Sequence, residues 1–251
     1  MVDSNERVCD ISLSGIKYAS LLNSSRYFHF AENLIFDAMH DFLEGVAPFS
    51  IKLVLHALAT TYPELGVDAD FLNQRIENFQ YSFYDLSNKP SAKFTDDNIK
   101  ARGNYSTKQR AGQNFCLINM FAYLVGDKIP EGNIHFAIIL TLRHIMDIIF
   151  SPVLTQEHTV VLEVLIMRYF EEFRKALPSV QGINKLHHMV HYPQIIRSQG
   201  PPVRYWCMRY EAYHNIAKRL AQVNFNFKNI TLSVANHTIS QMLLNAIGGL
   251  I

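Results

Sequence analysis

The last third of this chain almost lacks acidic residues. After Glu172 there is a single carboxylate, Glu211, against nine lysines and arginines, so this stretch sums to +8. The residues up to Glu172 hold the other 21 acids and 14 bases, which gives −7. The overall net charge of +1 therefore hides two oppositely charged parts. Such an asymmetry indicates a strongly charged partner, and for a basic segment the natural partner is a polyphosphate.

Cysteine is also scarce. Cys9, Cys116 and Cys207 lie far apart, and no CxxC pair occurs. The odd count and the wide spacing argue against a disulfide framework and for a reducing compartment, and they exclude a zinc site built from cysteine pairs. The N-terminal stretch lacks an apolar signal core, so we expect a nuclear or cytoplasmic protein that is not secreted. Histidine and charged side chains interrupt the most apolar run, 134–150, which favours a buried helix and no membrane partner.

Strand patterns are nearly absent, and Val203–Met208 is the one weak candidate. A hydrophobic content of 49% with 12% aromatic residues is enough for a buried core and excludes a disordered chain. We therefore predict a mainly α fold. Helical periodicity and stop signals place helices at about 35–46, 50–62, 69–83, 108–125, 133–150, 155–177, 184–198, 208–222 and 229–247.

Three local expectations follow from the same patterns. Gly45 and Pro48 are expected to interrupt the first two helices. The polar segment 85–107 is expected to form a loop or mobile linker. In the helix at 155–177, five side chains are expected to face the core: Val161, Val164, Leu165, Phe170 and Phe173.

The tetrapeptide Asp37-Ala38-Met39-His40 holds the first candidate functional pair. Asp37 and His40 are three residues apart, so a helix places both side chains on one face. The alternative is the solvated face of an amphipathic helix.

A second candidate pair is formed by His187 and His191. Their four-residue spacing places both imidazoles on one side of a helix, as in helical HxxxH metal ligands, whereas His188 is expected to point elsewhere. The alternative is a half-buried pair bonded to backbone or carboxylate. Together, Asp37, His40, His187 and His191 would supply four nitrogen and oxygen ligands. Such a set suits a structural zinc ion, or equally two carboxylate-neutralised histidine pairs without metal.

The third candidate is Glu211, which lies in the first turn of a predicted helix where the helix dipole favours a carboxylate. His214 and Lys218 follow at three and seven residues and share its face. In two-metal phosphoryl transfer, a carboxylate on a helix completes a divalent-metal site beside a basic track for DNA. The only tryptophan, Trp206, is expected to pack in the core.

These motifs in this order resemble a known family. They lie in the strings DAMHDFLEGVAPFSIKLVL, IPEGNIHFAIILTLRHIMDIIFSPVL and KLHHMVHYPQIIRSQGPPVRYWCMRYEAYHNIAKRLAQVNFNFKNI. The strings resemble animal DNA transposases of the EnSpm/CACTA type (CMC superfamily), and the resemblance runs from about Leu22 to about Ile230. It implies an RNase H-like catalytic core with a large helical insertion before its last acid. It also implies cutting and joining of transposon ends by three acids with Mg²⁺ or Mn²⁺.

The resemblance assigns roles to individual residues. Glu211 matches the last catalytic acid of the family, and Asp37 with His40 matches its D-x-x-H motif. His187 and His191 match the histidines ahead of the final acid. By this resemblance the two motifs form a structural zinc site, unless Asp37 is instead the middle catalytic acid.

The resemblance also predicts a catalytically incomplete fragment. The first acid of the family lies on an early strand, whereas only Asp3, Glu6 and Asp10 precede Glu32 here, without a strand pattern. We therefore expect most of the core sheet to be absent. The expected domains are an irregular remnant of the core at 1–34, a helical insertion at 35–183, and C-terminal helices at 184–251 that carry HxxxH and the final acid.

The expected partner is DNA, bound weakly by the basic last third. The candidate contacts are six lysines and arginines of that part of the chain: Arg197, Arg204, Arg209, Lys218, Arg219 and Lys228. A second copy of the chain or a missing N-terminal transposase segment is a further possible partner. The alternative function is a helical protein-interaction domain that an Asp/His metal site stabilises, with no role in nucleic-acid binding.

Overall fold

A computed structural model describes residues 21–28, 33, 35–101, 103, 105–224 and 228–248. Every regular element in these residues is a helix or a helical turn, and none is a strand, so the mainly α prediction is confirmed. The chain divides into two compact units, Met1–Phe36 and Asp37–Ile251. In the first unit, the described residues include one 3₁₀ turn, Leu21–Ser24. Most of the predicted remnant at 1–34 lies outside the described residues.

The second unit carries all the long helices of the described chain. It begins with a π-helical segment, Met39–Val46 (the π segment), which continues directly into α1, Ala47–Thr60. The other helices are α2 (Ala69–Asn78), α3 (Asp96–Lys100), α4 (Ala111–Val125), α5 (Ile134–Ile149), α6 (Gln156–Ala176), α7 (Asn184–Gln199), α8 (Met208–Asn224) and α9 (Ile230–Gly248). Short 3₁₀ turns lie at Pro63–Leu65, Leu86–Asn88, Gly126–Lys128 and Pro202–Arg204. The strand prediction at Val203–Met208 was wrong, because this stretch holds the last of these turns and the first residue of α8.

The predicted break at Gly45 and Pro48 was also wrong. Pro48 is the second residue of α1, directly after the π segment, and the helix runs through it without interruption. Gly45 lies where the Lys185 side chain crosses the π segment, and a Cβ at this position would collide with that side chain. The glycine therefore permits a close approach of α7 and does not end the helix.

The hydrophobic core is built around α1, with α4, α5 and α6 packed against it. Its buried side chains include Phe42, Leu55, Phe121, Leu142, Ile145, Leu162 and Tyr169. By length and composition, Met39–Thr60 is long and apolar enough to cross a membrane, but 83% of its most apolar window is buried inside the protein. The apolar surface of this helix is thus used in the core.

The inward face predicted for α6 needs correction. Phe173 is buried, and Leu165 and Phe170 are half-buried against the core, as expected. Val161 and Val164, in contrast, are 50% and 60% exposed, and Leu162, Ile166 and Tyr169 take the buried positions. Thr155 does cap this helix, through a reciprocal contact with His158, as the sequence predicts. The start of the helix was therefore predictable, but its rotation about its own axis was not.

The polar segment at 85–107 contains α3 and is anchored to the helices around it. Asn73 and Phe94 exchange two hydrogen bonds, of 2.8 and 3.0 Å. Ser91 and Gln109 exchange another two, again of 2.8 and 3.0 Å. Phe94 itself is buried. Paired hydrogen bonds to backbone groups thus give this segment a defined path.

A buried hydroxyl pair links α1 to α6 and gives a testable asymmetry. Ser50 Oγ donates to the Val46 carbonyl (2.8 Å) and lies 2.8 Å from the Tyr169 hydroxyl. We expect Tyr169→Phe to cost about 1 kcal/mol, because Ser50 keeps its backbone partner. We expect Ser50→Ala to cost more, about 2 kcal/mol, because it leaves the Tyr169 hydroxyl buried without a partner. Urea unfolding of both variants measures the difference, and the reverse order would contradict this account.

Candidate functional site

Asp37 joins the N-termini of two helices that are far apart in sequence. Its Oδ2 accepts a hydrogen bond from the backbone N–H of His40 (3.1 Å), in the manner of a helix-capping carboxylate. Its Oδ1 accepts from the backbone N–H of Cys207 (2.8 Å), the residue immediately before α8. Both partners are donors that a helix start leaves without an intrahelical acceptor. One carboxylate thus holds the first motif against the last.

The electrostatics of Asp37 follow from these contacts. Burial raises the pKa of this carboxyl, but the hydrogen bonds from the Cys207 and His40 backbone and the nearby His40 imidazole outweigh it. The net effect is a pKa below the ordinary aspartate value. Asp37 is therefore held as a carboxylate.

His40 lies between two carboxylates. Its Nδ1 is 2.5 Å from Asp37 Oδ2, and its Nε2 is 3.3 Å from Glu211 Oε1. About half of the His40 and Glu211 side chains is exposed, so the site is open to solvent. The structure thus brings Asp37, His40 and Glu211 together, three of the residues that the motifs single out.

The same cluster contains a thiol that the sequence patterns did not indicate. Ligand atoms of Asp37, His40 and Cys207 all lie within 4.8 Å of one another, which makes them the one such group of three among the described residues. Burial raises the pKa of the Cys207 thiol, and the negative charges of Asp37 and Glu211 raise it further. A single cysteine forms no spacing pattern. Only its position just before α8 could have indicated that Cys207 belongs to the site.

This donor set does not fit the Mg²⁺ or Mn²⁺ that the family resemblance implies. Those hard cations prefer sites made of oxygen ligands. Here the Asp37 and Glu211 carboxylates both meet an imidazole, and a thiol lies within reach. The nitrogen, oxygen and sulfur donors are those of a zinc-class site.

His187 and His191 form a separate pair. Their Nε2 atoms are 3.1 Å apart across one turn of α7, which places both rings on one side as the spacing predicts. Neither residue belongs to the group around Asp37 and His40. The structure therefore does not assemble the four predicted ligands into one set.

It is His188, expected to point elsewhere, that faces the π segment. Its Nδ1 is 3.0 Å from Asp41 Oδ2. One turn earlier, Lys185 Nζ donates to the carbonyls of His40 (2.7 Å) and Glu44 (3.5 Å). Residues 185, 188 and 192 share the face of α7 that meets the π segment. The two histidines of the HxxxH motif lie on a different face.

A buried hydroxyl adjoins the cluster. Tyr192 is fully buried, and its hydroxyl makes no hydrogen bond to any described residue. Burial raises the pKa of Tyr192, and the negative charges of Asp41 and Asp37 raise it further. Asp41 Oδ2 is also buried, but His188 Nδ1 lies 3.0 Å from it, whereas the Tyr192 hydroxyl has no such partner among the described residues. Buried polar atoms of this kind usually have a water or an ion as partner.

The basic residues predicted to bind DNA fall into two groups. Arg197 pairs with Glu163 and donates to Thr159 Oγ1 (3.0 Å), and Arg204 donates to the Pro152 carbonyl (3.4 Å). These two guanidinium groups are tied to the body of the protein. The remaining bases are exposed on α8 or just after it: Arg209, Lys218, Arg219 and Lys228.

Trp206 packs against the core, 5.3 Å from Phe150 between ring centroids, which confirms the expected packing role. This contact holds the segment that leads into α8 and so helps to position Cys207 and Glu211.

Comparison with known proteins gives no family for this fold: no family model, curated protein or solved structure matches the chain.

Proposed function

We propose that this chain derives from a DDE transposase of the EnSpm/CACTA type and binds duplex DNA through α8 without cutting it alone. The observation that carries the proposal is the meeting of Asp37 and His40 with Glu211. These residues belong to the first and last motifs of the resemblance. An RNase H-like ancestry would explain why motifs so far apart in sequence are held at one point.

The charge distribution supports DNA as the ligand. The second half of α8 carries exposed Lys218 and Arg219, Arg209 lies on the opposite side of its first turn, and Glu211 is its single acid. Exposed lysines and arginines bind phosphates and release counterions, which gives affinity without sequence specificity. Such a surface predicts weak binding that depends strongly on salt.

The carboxylate arrangement supports binding without cleavage. Phosphoryl transfer by two metal ions needs carboxylates that converge on the metals. In this site the Asp37 and Glu211 carboxylates converge on the His40 imidazole. The proposed function is therefore DNA binding without cleavage.

Fluorescence anisotropy with a labelled duplex tests the proposal. For three to four phosphate contacts we expect the affinity to fall about 100-fold between 50 and 200 mM salt. The same duplex should stay intact with Mg²⁺ or Mn²⁺. Lack of binding at low salt would reject the proposal, and metal-dependent nicking that Glu211→Gln abolishes would reject its second part.

A protein-interaction function is the second candidate, and the C-terminal hairpin favours it. α8 and α9 pack against each other but leave large apolar side chains exposed: Tyr210, Tyr213, Ile216, Leu232, Ile239, Met242, Leu243 and Leu244. Exposed apolar surface of this extent is typical of interaction sites. Binding through it would be insensitive to salt, so the titration above also separates the two functions.

A further inference from the structure

We propose that Asp37, His40 and Cys207, with Glu211 beside them, bind one thiophilic divalent cation of the zinc class. The site lies where the start of the π segment meets the start of α8. It does not depend on DNA binding, and Cys207 replaces the histidine pair that the sequence suggested as ligands.

Geometry is the first support. The ligand atoms of these three residues already lie within 4.8 Å of one another. Zinc bonds to sulfur, nitrogen and oxygen are about 2.0–2.3 Å long, so two ligands of one ion are about 3–4 Å apart. Glu211 Oε1 lies 3.3 Å from His40 Nε2, on the other side of the ring from Asp37, where it can accept a hydrogen bond from the imidazole of a metal-bound His40. Small rotamer changes would close the cluster around an ion.

A buried hydroxyl near the cluster gives further support. The Tyr192 side chain is fully buried, the charge of Asp37 acts on it, and its hydroxyl makes no hydrogen bond within the described residues. Ligating groups commonly depend on such outer partners for orientation. A hydrated cation at Asp37 would supply the water that this hydroxyl needs.

The local charge also favours a cation. Asp37, Asp41 and Glu211 bring three negative charges to this point. The two helix N-termini oppose them with about half a positive charge each, and the Lys185 ammonium adds one more. With the histidines left out of the count, about one net negative charge remains. A divalent cation also reverses the effect of the carboxylates on Cys207, because binding displaces the thiol proton to solvent and leaves a thiolate ligand.

The chelator-treated full chain, titrated with Co²⁺ as a spectroscopic probe and with Zn²⁺ by calorimetry, tests the site. We expect one ion per chain and a near-ultraviolet thiolate-to-Co²⁺ absorption band. Cys207→Ser should abolish the band and weaken Zn²⁺ binding more than about 100-fold, because even changes to outer partners cost 10- to 100-fold. An excess of Mg²⁺ should leave the band unchanged.

Matched variants locate the ligands. Three variants remove donors that the proposal does not use. The other thiols are removed by Cys116→Ala and Cys9→Ser, and the histidine pair of α7 is removed by His187→Ala/His191→Ala. All three variants should keep the absorption band. His40→Ala should shift or lose it, with the fold checked by circular dichroism. A band that survives Cys207→Ser, fails in the His187/His191 variant or yields to Mg²⁺ would overturn the proposal, as would the absence of any band.

Discussion

Replacing Lys218 and Arg219 together with glutamine is expected to weaken duplex DNA binding about 60-fold at 0.1 M salt. Both side chains are exposed in the second half of α8. Each phosphate contact contributes about 0.9 to the slope of log affinity against log salt. Between 1 M and 0.1 M salt, two contacts therefore contribute about 1.8 decades of affinity, and the variant loses this contribution. The slope itself should fall by the same 1.8. Anisotropy titrations at several salt concentrations measure both quantities.

Two controls make this prediction specific to one surface. Lys93→Gln/Lys128→Gln removes the same charge from exposed lysines of the acid-rich part and should leave affinity nearly unchanged. Arg209 lies nine residues before Lys218, half a turn around the helix axis, so a duplex against Lys218 does not face it. Arg209→Gln should therefore weaken DNA binding less than either Lys218→Gln or Arg219→Gln alone. An equal loss in the control pair would mean that binding follows net charge and not this helix.

The helices were largely predictable because their signals are local. α5 lies within the predicted 133–150, and Thr155 caps α6 as expected. The rotation of α6 was not predictable, since apolar residues occur on both of its sides: Val160, Val161, Val164 and Met167 are exposed. Periodicity cannot choose a face when two faces are apolar, and packing against α5 makes that choice.

The site shows the same division between local and tertiary information. The HxxxH spacing placed the His187 and His191 rings together, 4.8 Å apart between centroids. Which side of α7 meets the π segment depends on the approach of the whole helix at Gly45, and that approach selects His188. Cys207 has no local pattern at all. Its position becomes meaningful only through the backbone hydrogen bond to Asp37, 170 residues away.

Asp37→Ala is expected to destabilise the protein by about 3 kcal/mol. The substitution removes a charged acceptor from two backbone N–H groups, of His40 and Cys207, and such bonds are worth about 1.5 kcal/mol each. It releases the start of the π segment and the start of α8 together, so the loss exceeds that of an ordinary capping residue. Urea unfolding, followed by circular dichroism, measures the change. Glu44→Ala, which removes an exposed carboxylate from the same segment, should stay within about 0.5 kcal/mol of the parent.

Asp37→Asn separates the charge of this residue from its shape. Because the folded pKa of Asp37 lies below the ordinary value of 3.8, its stabilisation is complete above that pH and is lost as pH falls through the folded pKa. The asparagine variant keeps an acceptor oxygen but has no proton to take up. It should therefore lie between the parent and Asp37→Ala at neutral pH, and its deficit should shrink below about pH 4. A deficit that is the same at pH 3 and pH 7 would show that the Asp37 charge contributes nothing to holding the two motifs together.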